Sequence, residues 1–258
     1  MWFQITSFLQ FLIKSTNQHG VHSPFVFSFT TKCLYAKTPS EKKTLFNTIL
    51  KEVSHNKQTI KVTDFGNGSK VFKSDERKIC DIANIAGISR KKAFLLMRIA
   101  AYFNAETILE LGTSIGLSSS ALALGNKNAS ITTLEGCKNT SEAATALFKK
   151  FNLHFIKIIT GNFTETLPKV TSKTVYDLIY FDGNHQKEAT LHYFNSCLNA
   201  VHNNSICIFD DINWSSEMQE AWEEIKNNPK VTVTINTFFW GMVFFRKEQV
   251  KQHFTIRV

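Results

Sequence analysis

The sequence predicts an α/β chain: a doubly wound sheet of seven strands with the last one antiparallel, preceded by a helical N-terminal extension. Three observations carry this. From Thr107 onward, apolar runs of strand length alternate with stretches of helix length, the pattern of a parallel sheet covered by crossover helices. The first run, T-I-L-E-L-G-T-S-I-G from Thr107 to Gly116, breaks into a glycine turn that opens a helix. The last two runs meet at Trp240-Gly241 with no room for a helix between them, so they form an antiparallel hairpin.

The first hundred residues read as helices. Met1 to Ile13 is apolar, has no basic residue before it and no small-residue cleavage site after it, and is too short to span a bilayer. Ile5, Phe8, Leu9, Leu12 and Ile13 fall on one stripe of a helix, which suits packing on the chain's own body, with a membrane surface or a partner as the other use. Ser23-Pro24 caps a second helix carrying Phe25, Phe29 and Cys33 at intervals of four. Thr38-Pro39-Ser40-Glu41 reads as a capping box with proline at the first helical position, opening a helix with Leu45, Phe46, Ile49, Leu50 and Val53 on one face. Another helix is expected from about Asp75 to Ala86, stopped by Gly87. Ser89 then begins a helix containing Phe94, Leu95, Met97 and Ile99.

Strands are predicted at Thr107–Leu111, Ile131–Leu134, Phe155–Thr160, Tyr176–Phe181, Ser205–Phe209, Val231–Phe238 and Met242–Phe245. Helices fit near Leu117–Leu124, Thr140–Phe151, Lys187–Val201 and Trp214–Asn227. The change of texture divides the chain into a helical part, residues 1–100, and an α/β part, residues 101–258.

Composition narrows the class. With 43% apolar and 20% charged residues over 258 positions, the chain can bury a full core. Its 23 phenylalanines suggest an aromatic-rich interior and an aromatic pocket. Five cysteines are dispersed without C-x-x-C spacing, which argues for reduced thiols in the cytoplasm and against a disulfide frame or zinc site. The net charge of +9 is uneven: residues 1–100 hold 16 Lys+Arg against 6 Asp+Glu, and the remainder 14 against 15. The basicity of the first segment suits an acidic ligand or simple solubility.

Four residues of suitable chemistry close successive strands, where ligands of open α/β sheets bind. Glu110 stands where a dinucleotide fingerprint would have its first glycine, giving E-x-G-x-x-x-G with Gly112 and Gly116. Glu135, followed by Gly136, ends the second strand, where a carboxylate can accept both hydroxyls of a ribose. Gly161-Asn162 follows the third strand and Asp182 the fourth, Y-D-L-I-Y-F-D.

These motifs and the closing hairpin resemble the class I S-adenosylmethionine-dependent methyltransferases, with their Rossmann-like seven-stranded sheet, over roughly residues 101–258. Within that class the likeness is to O-methyltransferases, including the cation-dependent catechol and caffeoyl-CoA types and certain sugar enzymes. The resemblance implies that Glu110, Gly112, Thr113, Ser114 and Gly116 form the cofactor loop. It places Glu135 and Gly136 at the ribose, Asn162 beside adenine, and Asp182 at the reacting end.

Methyl transfer needs a nucleophile relieved of its proton and aligned with the sulfonium. Asp182-Gly183-Asn184-His185 places an imidazole three residues beyond a strand-end carboxylate. This D-G-x-H pattern is similar to that of sugar O-methyltransferases, in which the aspartate binds a divalent cation and the histidine is the base. His185 is therefore a base candidate, or else a loop histidine bonded locally. Asp210-Asp211 ends the fifth strand, so Asp182, Asp210 and Asp211 can converge on Mg²⁺. The cation-dependent branch has Asp-Asn at the second position, and Asp211 departs from it. The other reading of the pair is a helix cap for the segment from Trp214.

Weaker candidates complete the set. Asp64 to Ser69, D-F-G-N-G-S, also looks like a glycine motif, but no strand ending in an acid follows, and it reads as a turn or part of a lid. His19 and His22 either reach a ligand or serve the Ser23 cap. Trp214 and Trp240 suit a substrate wall or the core, and Arg90-Lys91-Lys92 reads as a solvated helix start.

The leading expectation is an O-methyltransferase for a small-molecule acceptor, assisted by Mg²⁺, with the first hundred residues capping the acceptor site or forming a homodimer surface. A nucleic-acid methyltransferase is the alternative. Scattered basic residues, no aromatic stacking module and a fourth-strand motif other than N-P-P-[YF] weigh against it. A cofactor-binding protein without catalysis is the third reading.

Overall fold

A computed structural model describes residues 2–63, 72 and 74–258; the Asp64–Ser69 motif lies outside these. Helices α1 (Trp2–Lys14), α2 (Pro24–Phe29) and α3 (Ser40–Ser54) lead into a two-stranded antiparallel ribbon, β1 (Thr59–Lys61) with β2 (Glu76–Lys78). Next come α4 (Ile79–Ile85) and α5 (Arg90–Tyr102). The α/β part then runs β3 (Thr107–Leu111), α6 (Leu117–Gly125), β4 (Ser130–Glu135), α7 (Lys138–Lys150), β5 (Ile156–Thr160), α8 (Phe163–Thr171) and β6 (Tyr176–Phe181). It continues through α9 (Lys187–Cys197), β7 (Val201–Asp210) and α10 (Ser216–Asn227) to β8 (Val233–Asn236), β9 (Trp240–Phe244) and β10 (Gln252–Thr255).

Eight strands form the main sheet in the order β10-β8-β9-β7-β6-β3-β4-β5. β3 pairs in parallel with both β4 and β6, so the winding reverses beside it, and the crevice at the carboxyl ends opens there. β9 runs antiparallel to both β7 and β8, as the short Trp240-Gly241 connection requires.

Alternate residues of each central strand feed two cores, because both faces of a doubly wound sheet are covered. Ile108, Ile131, Leu178 and Ile206 pack with α3, α5 and α6 on one face. Leu109, Ile179, Cys207 and Phe209 pack with α8, α9 and α10 on the other. The first core is continuous across residue 100: Phe29, Phe46 and Ile49 share it with the strands. The helical segment is thus one layer of the α/β body, and the change at residue 100 is one of texture, with no break in packing. All five cysteines are free. No helix among the described residues is long and apolar enough to cross a membrane.

Several local expectations change for physical reasons. The helix expected from Asp75 starts only at Ile79, because residues 76–78 pair with Thr59–Lys61. Pairing of two short segments overrides their propensity. Pro39 is the N-cap of α3 without a side-chain cap bond, while the Thr38 hydroxyl donates to Phe94 O and accepts from Arg98. Ser23 and Ser89 do cap their helices, accepting from the N–H groups of Val26 and Lys92. Helix α8 is additional to the expected helices: Asn162 caps it, and it accommodates Pro168, a residue that disfavours helix interiors. β10 was not expected either: Gln252–Thr255 is a short, half-polar edge strand, parallel to β8.

Arg98 ties the helical layer together. Its guanidinium donates to the carbonyls of Cys33 (2.9 Å) and Leu34 (3.0 Å) and to the Thr38 hydroxyl (2.9 Å). Arg98→Ala removes all three of these hydrogen bonds, and we expect it to lower unfolding free energy by about 2–3 kcal/mol in urea denaturation. Lys91→Ala, on the exposed side of the same helix, is expected to change it by less than about 0.5 kcal/mol.

Candidate active site

β3 delivers the chain to a turn that only glycine fits. Gly112 has φ +104°, and a Cβ there would collide with the backbone carbonyl of Asp182 at the end of β6. The N–H groups of Gly112 and Thr113 donate to Leu134 O at 2.9 and 3.2 Å, binding the turn to β4. Gly116, at φ +87°, starts α6.

Glu135, at the tip of β4, faces this turn. Its Oε2 accepts from the Ser114 N–H at 2.7 Å and its Oε1 from the Cys137 N–H at 2.9 Å. Burial nonetheless raises its pKa above the usual carboxylate value, the backbone donors offsetting only part. A cavity of about 580 Å³ lies over it, walled by Gly112, Ser114, Glu135, Gly136, Asn162 and Asp182.

Glu110, Thr113 and Gly116 are not on that wall. Glu110 is fully buried beneath the loop, accepting from the hydroxyls of Ser119 and Thr133, and burial raises its pKa. Thr113 is bonded to Thr133 at 2.6 Å. Glu110 therefore props the turn from below and is not placed to touch a ligand in the cavity. Glu110 lies within β3 opposite Thr133, whereas Glu135 is the last residue of β4 on the same face, so depth along the strand decides which acid reaches the cavity.

A second cavity, of about 1070 Å³, adjoins the first, and Asp182 belongs to the walls of both. His185, Asp210, Asp211, Lys92 and Trp240 also line it. His185 Nε2 is 3.7 Å from Asp182 Oδ1, and the Tyr180 hydroxyl donates to Asp182 Oδ2 at 3.2 Å. The Lys92 Nζ sits between the two neighbouring acids, 2.6 Å from Asp210 Oδ1 and 3.3 Å from Asp211 Oδ1. Burial disfavours the Lys92 ammonium, but Asp210, Asp211 and Asp182 outweigh it and hold its pKa above the ordinary value. Burial, then the charge of Asp210, pushes Asp182 well up. The same two causes raise Asp211, with Lys92 and His185 opposing.

Residues 109–212 match the family model of a methyltransferase domain. This stretch of the chain is thus similar to a methyltransferase domain. No curated protein matches the sequence significantly. Solved structures share the fold. An O-methyltransferase of tomaymycin synthesis from Streptomyces achromogenes, solved with S-adenosylmethionine, is 17% identical with a TM-score of 0.54, covering 62% of this chain and 81% of that one. A putative caffeoyl-CoA O-methyltransferase from Staphylococcus aureus is 20% identical with a TM-score of 0.57, covering 64% and 89%. A Podospora anserina methyltransferase bound to S-adenosylhomocysteine is 17% identical with a TM-score of 0.58, covering 82% and 99%.

At this site the three acids do not fit the divalent cation that the motif suggested. No three His, Cys, Asp or Glu side chains converge in a metal-holding arrangement among the described residues. The ammonium of Lys92 already uses the Asp210 and Asp211 oxygens. A divalent ion held 4 Å from it would meet a repulsion of about 8 kcal/mol at an effective dielectric of 20. The capping alternative also fails, since Ser215 caps α10. Lys92, read from sequence as a solvated helix start, is instead the counter-ion of the pair.

Other wall residues went unread as well. Thr63, Phe72 and Arg77 reach the first cavity from the β1–β2 region, and Tyr193 reaches it from α9. For Thr63, Phe72 and Arg77 the signal in the sequence was closeness to the Asp64–Ser69 motif; Tyr193 had none. Neither His19 nor His22 lines either cavity.

Because Gly112 carries both a left-handed backbone and a close approach to β6, we expect Gly112→Ala to lower unfolding free energy by about 2 kcal/mol or more in urea denaturation. Gly136→Ala, whose backbone is not left-handed, is expected to cost less.

Proposed function

We propose that the protein transfers the methyl group of S-adenosylmethionine to a hydroxyl oxygen of a small molecule. The observation that carries this reading is the shared wall at Asp182: the cavity with Glu135 lies on one side and the cavity with His185 on the other. A donor in the first and an acceptor in the second meet there.

In the first cavity Glu135 accepts the ribose hydroxyls. It is already fixed by two backbone N–H groups, so it loses little freedom on binding. Gly112 and Ser114 leave room and backbone for the methionine end, and Asn162, held as the cap of α8, flanks the base. Glu110, Thr113 and Gly116 support this loop from behind.

The second cavity suits an acceptor with an apolar or aromatic body. Phe94, Leu95, Phe239 and Trp240 line it, and the buried indole Nε1–H of Trp240 has no partner among the described residues. In the transfer the acceptor oxygen attacks the methyl carbon as the carbon–sulfur bond breaks. The electron pair of that bond goes to sulfur, leaving S-adenosylhomocysteine. The hydroxyl proton passes to His185, beside Asp182, so charge and atoms balance. Mg²⁺ has no part in this scheme because Lys92 occupies the acid pair.

Two measurements test it. S-adenosylmethionine is expected to bind in the micromolar range by calorimetry. Glu135→Ala is expected to weaken it roughly ten- to a hundredfold, the loss of about 1.5–3 kcal/mol of charge-assisted hydrogen bonding. S-adenosylhomocysteine release over a panel of phenols and small alcohols is expected to exceed that with RNA. Turnover on RNA alone would replace this reading with the nucleic-acid one, and absence of cofactor binding would end both.

A further inference from the structure

Lys92 is the residue whose placement the sequence least foretold. It comes from the first turn of α5, in the helical layer, and spans to the tip of β7, 118 and 119 residues on. Its Nζ is shared between Asp210 and Asp211 and lies 5.2 Å from the centre of the Phe239 ring. All four residues line the larger cavity, and Asp182, with His185 at 3.7 Å, stands on the same wall.

We propose that the Lys92 ammonium does the work of a divalent cation in this site, so that the methyltransferase is metal-independent and orients its acceptor through Lys92. The inference rests on the methyl-transfer reading and deepens it.

The chemistry of an ammonium supports it. Magnesium in such a site would neutralise the carboxylates and hold the acceptor oxygen near the donor methyl. Lys92 supplies both functions without coordination geometry. It has three N–H donors, of which Asp210 and Asp211 take two. The third remains for the acceptor oxygen. A positive charge beside that oxygen favours its deprotonated, nucleophilic form. Phe239 adds a flat wall next to the charge, which suits a phenolic or similarly flat hydroxyl compound. The helical layer thus supplies a functional group as well as a cover. Because the ammonium belongs to the chain, the site carries its cation whenever it is folded.

Metal binding to the purified full chain tests this apart from turnover. Mn²⁺ is titrated by calorimetry and by its paramagnetic resonance signal into the wild type, Lys92→Ala and Lys92→Arg, with S-adenosylmethionine binding measured on each. The wild type and Lys92→Arg are expected to take up no Mn²⁺ into the millimolar range. Lys92→Ala, with the Asp210 and Asp211 oxygens freed, is expected to bind it at least tenfold more tightly. Excess EDTA is expected to leave wild-type turnover unchanged, and Lys92→Ala is expected to raise KM for the acceptor more than Lys92→Arg does. Wild-type uptake of Mn²⁺, or a folded Lys92→Ala protein that takes up none, overturns the proposal. The wild-type titration decides alone if Lys92→Ala does not fold. Loss of cofactor binding in all three proteins would instead defeat the methyl-transfer reading, leaving the Mn²⁺ result to be read on its own.

Discussion

The contact between the ends of β3 and β6 at Gly112 governs the rest of the site. Without a side chain, the turn after β3 lies against the backbone of Asp182, and Gly112 and Thr113 are fastened to Leu134 on the other side. Three strand tips are thereby held in one fixed relation. Glu135 faces the loop it helps to pin, through the Ser114 N–H, and Asp182 ends up as a partition between two cavities. The buried Glu110, bonded to Ser119 and Thr133, stiffens the same turn from within. The position of both cavities follows from this one close approach and the reversal of strand order beside it.

The helical layer is part of the same device. It shares the core of one sheet face, and Arg98 locks its inner turns to α5. Through α5 it then places an ammonium at the tip of β7, and through the β1–β2 region it contributes Thr63 and Arg77 to the first cavity. A buried lysine is costly unless it is paired. Here two carboxylates pair it, and their own charge would be costly without it. Each side of the ion pair accounts for the burial of the other.

Much of this was legible from residue order. The alternation after Thr107 fixed seven strands in type and order, and Trp240-Gly241 required the antiparallel hairpin. Gly112, Glu135, Asn162 and Asp182 sit at successive strand tips and share one cavity, because the carboxyl ends of a parallel sheet gather whatever residues close them. What stayed hidden has physical causes. Glu110 and Glu135 look alike in sequence and share a face of the sheet; depth separates them, since Glu110 lies inside β3 opposite Thr133 and Glu135 is the last residue of β4. α8 accommodates Pro168, a residue that disfavours helix interiors, and β10 is too short and too polar to announce itself. Lys92 lies in a basic run, and its long stem reaches an element more than a hundred residues away. No local pattern encodes that distance.

The most direct test of the shared wall at Asp182 is a crystal structure of the protein with S-adenosylhomocysteine. The account predicts the ribose on Glu135, the base toward Asn162, and the sulfur pointing past Asp182 into the cavity of His185 and Lys92. A nucleoside lodged in the larger cavity, or a sulfur turned away from Asp182, would contradict it.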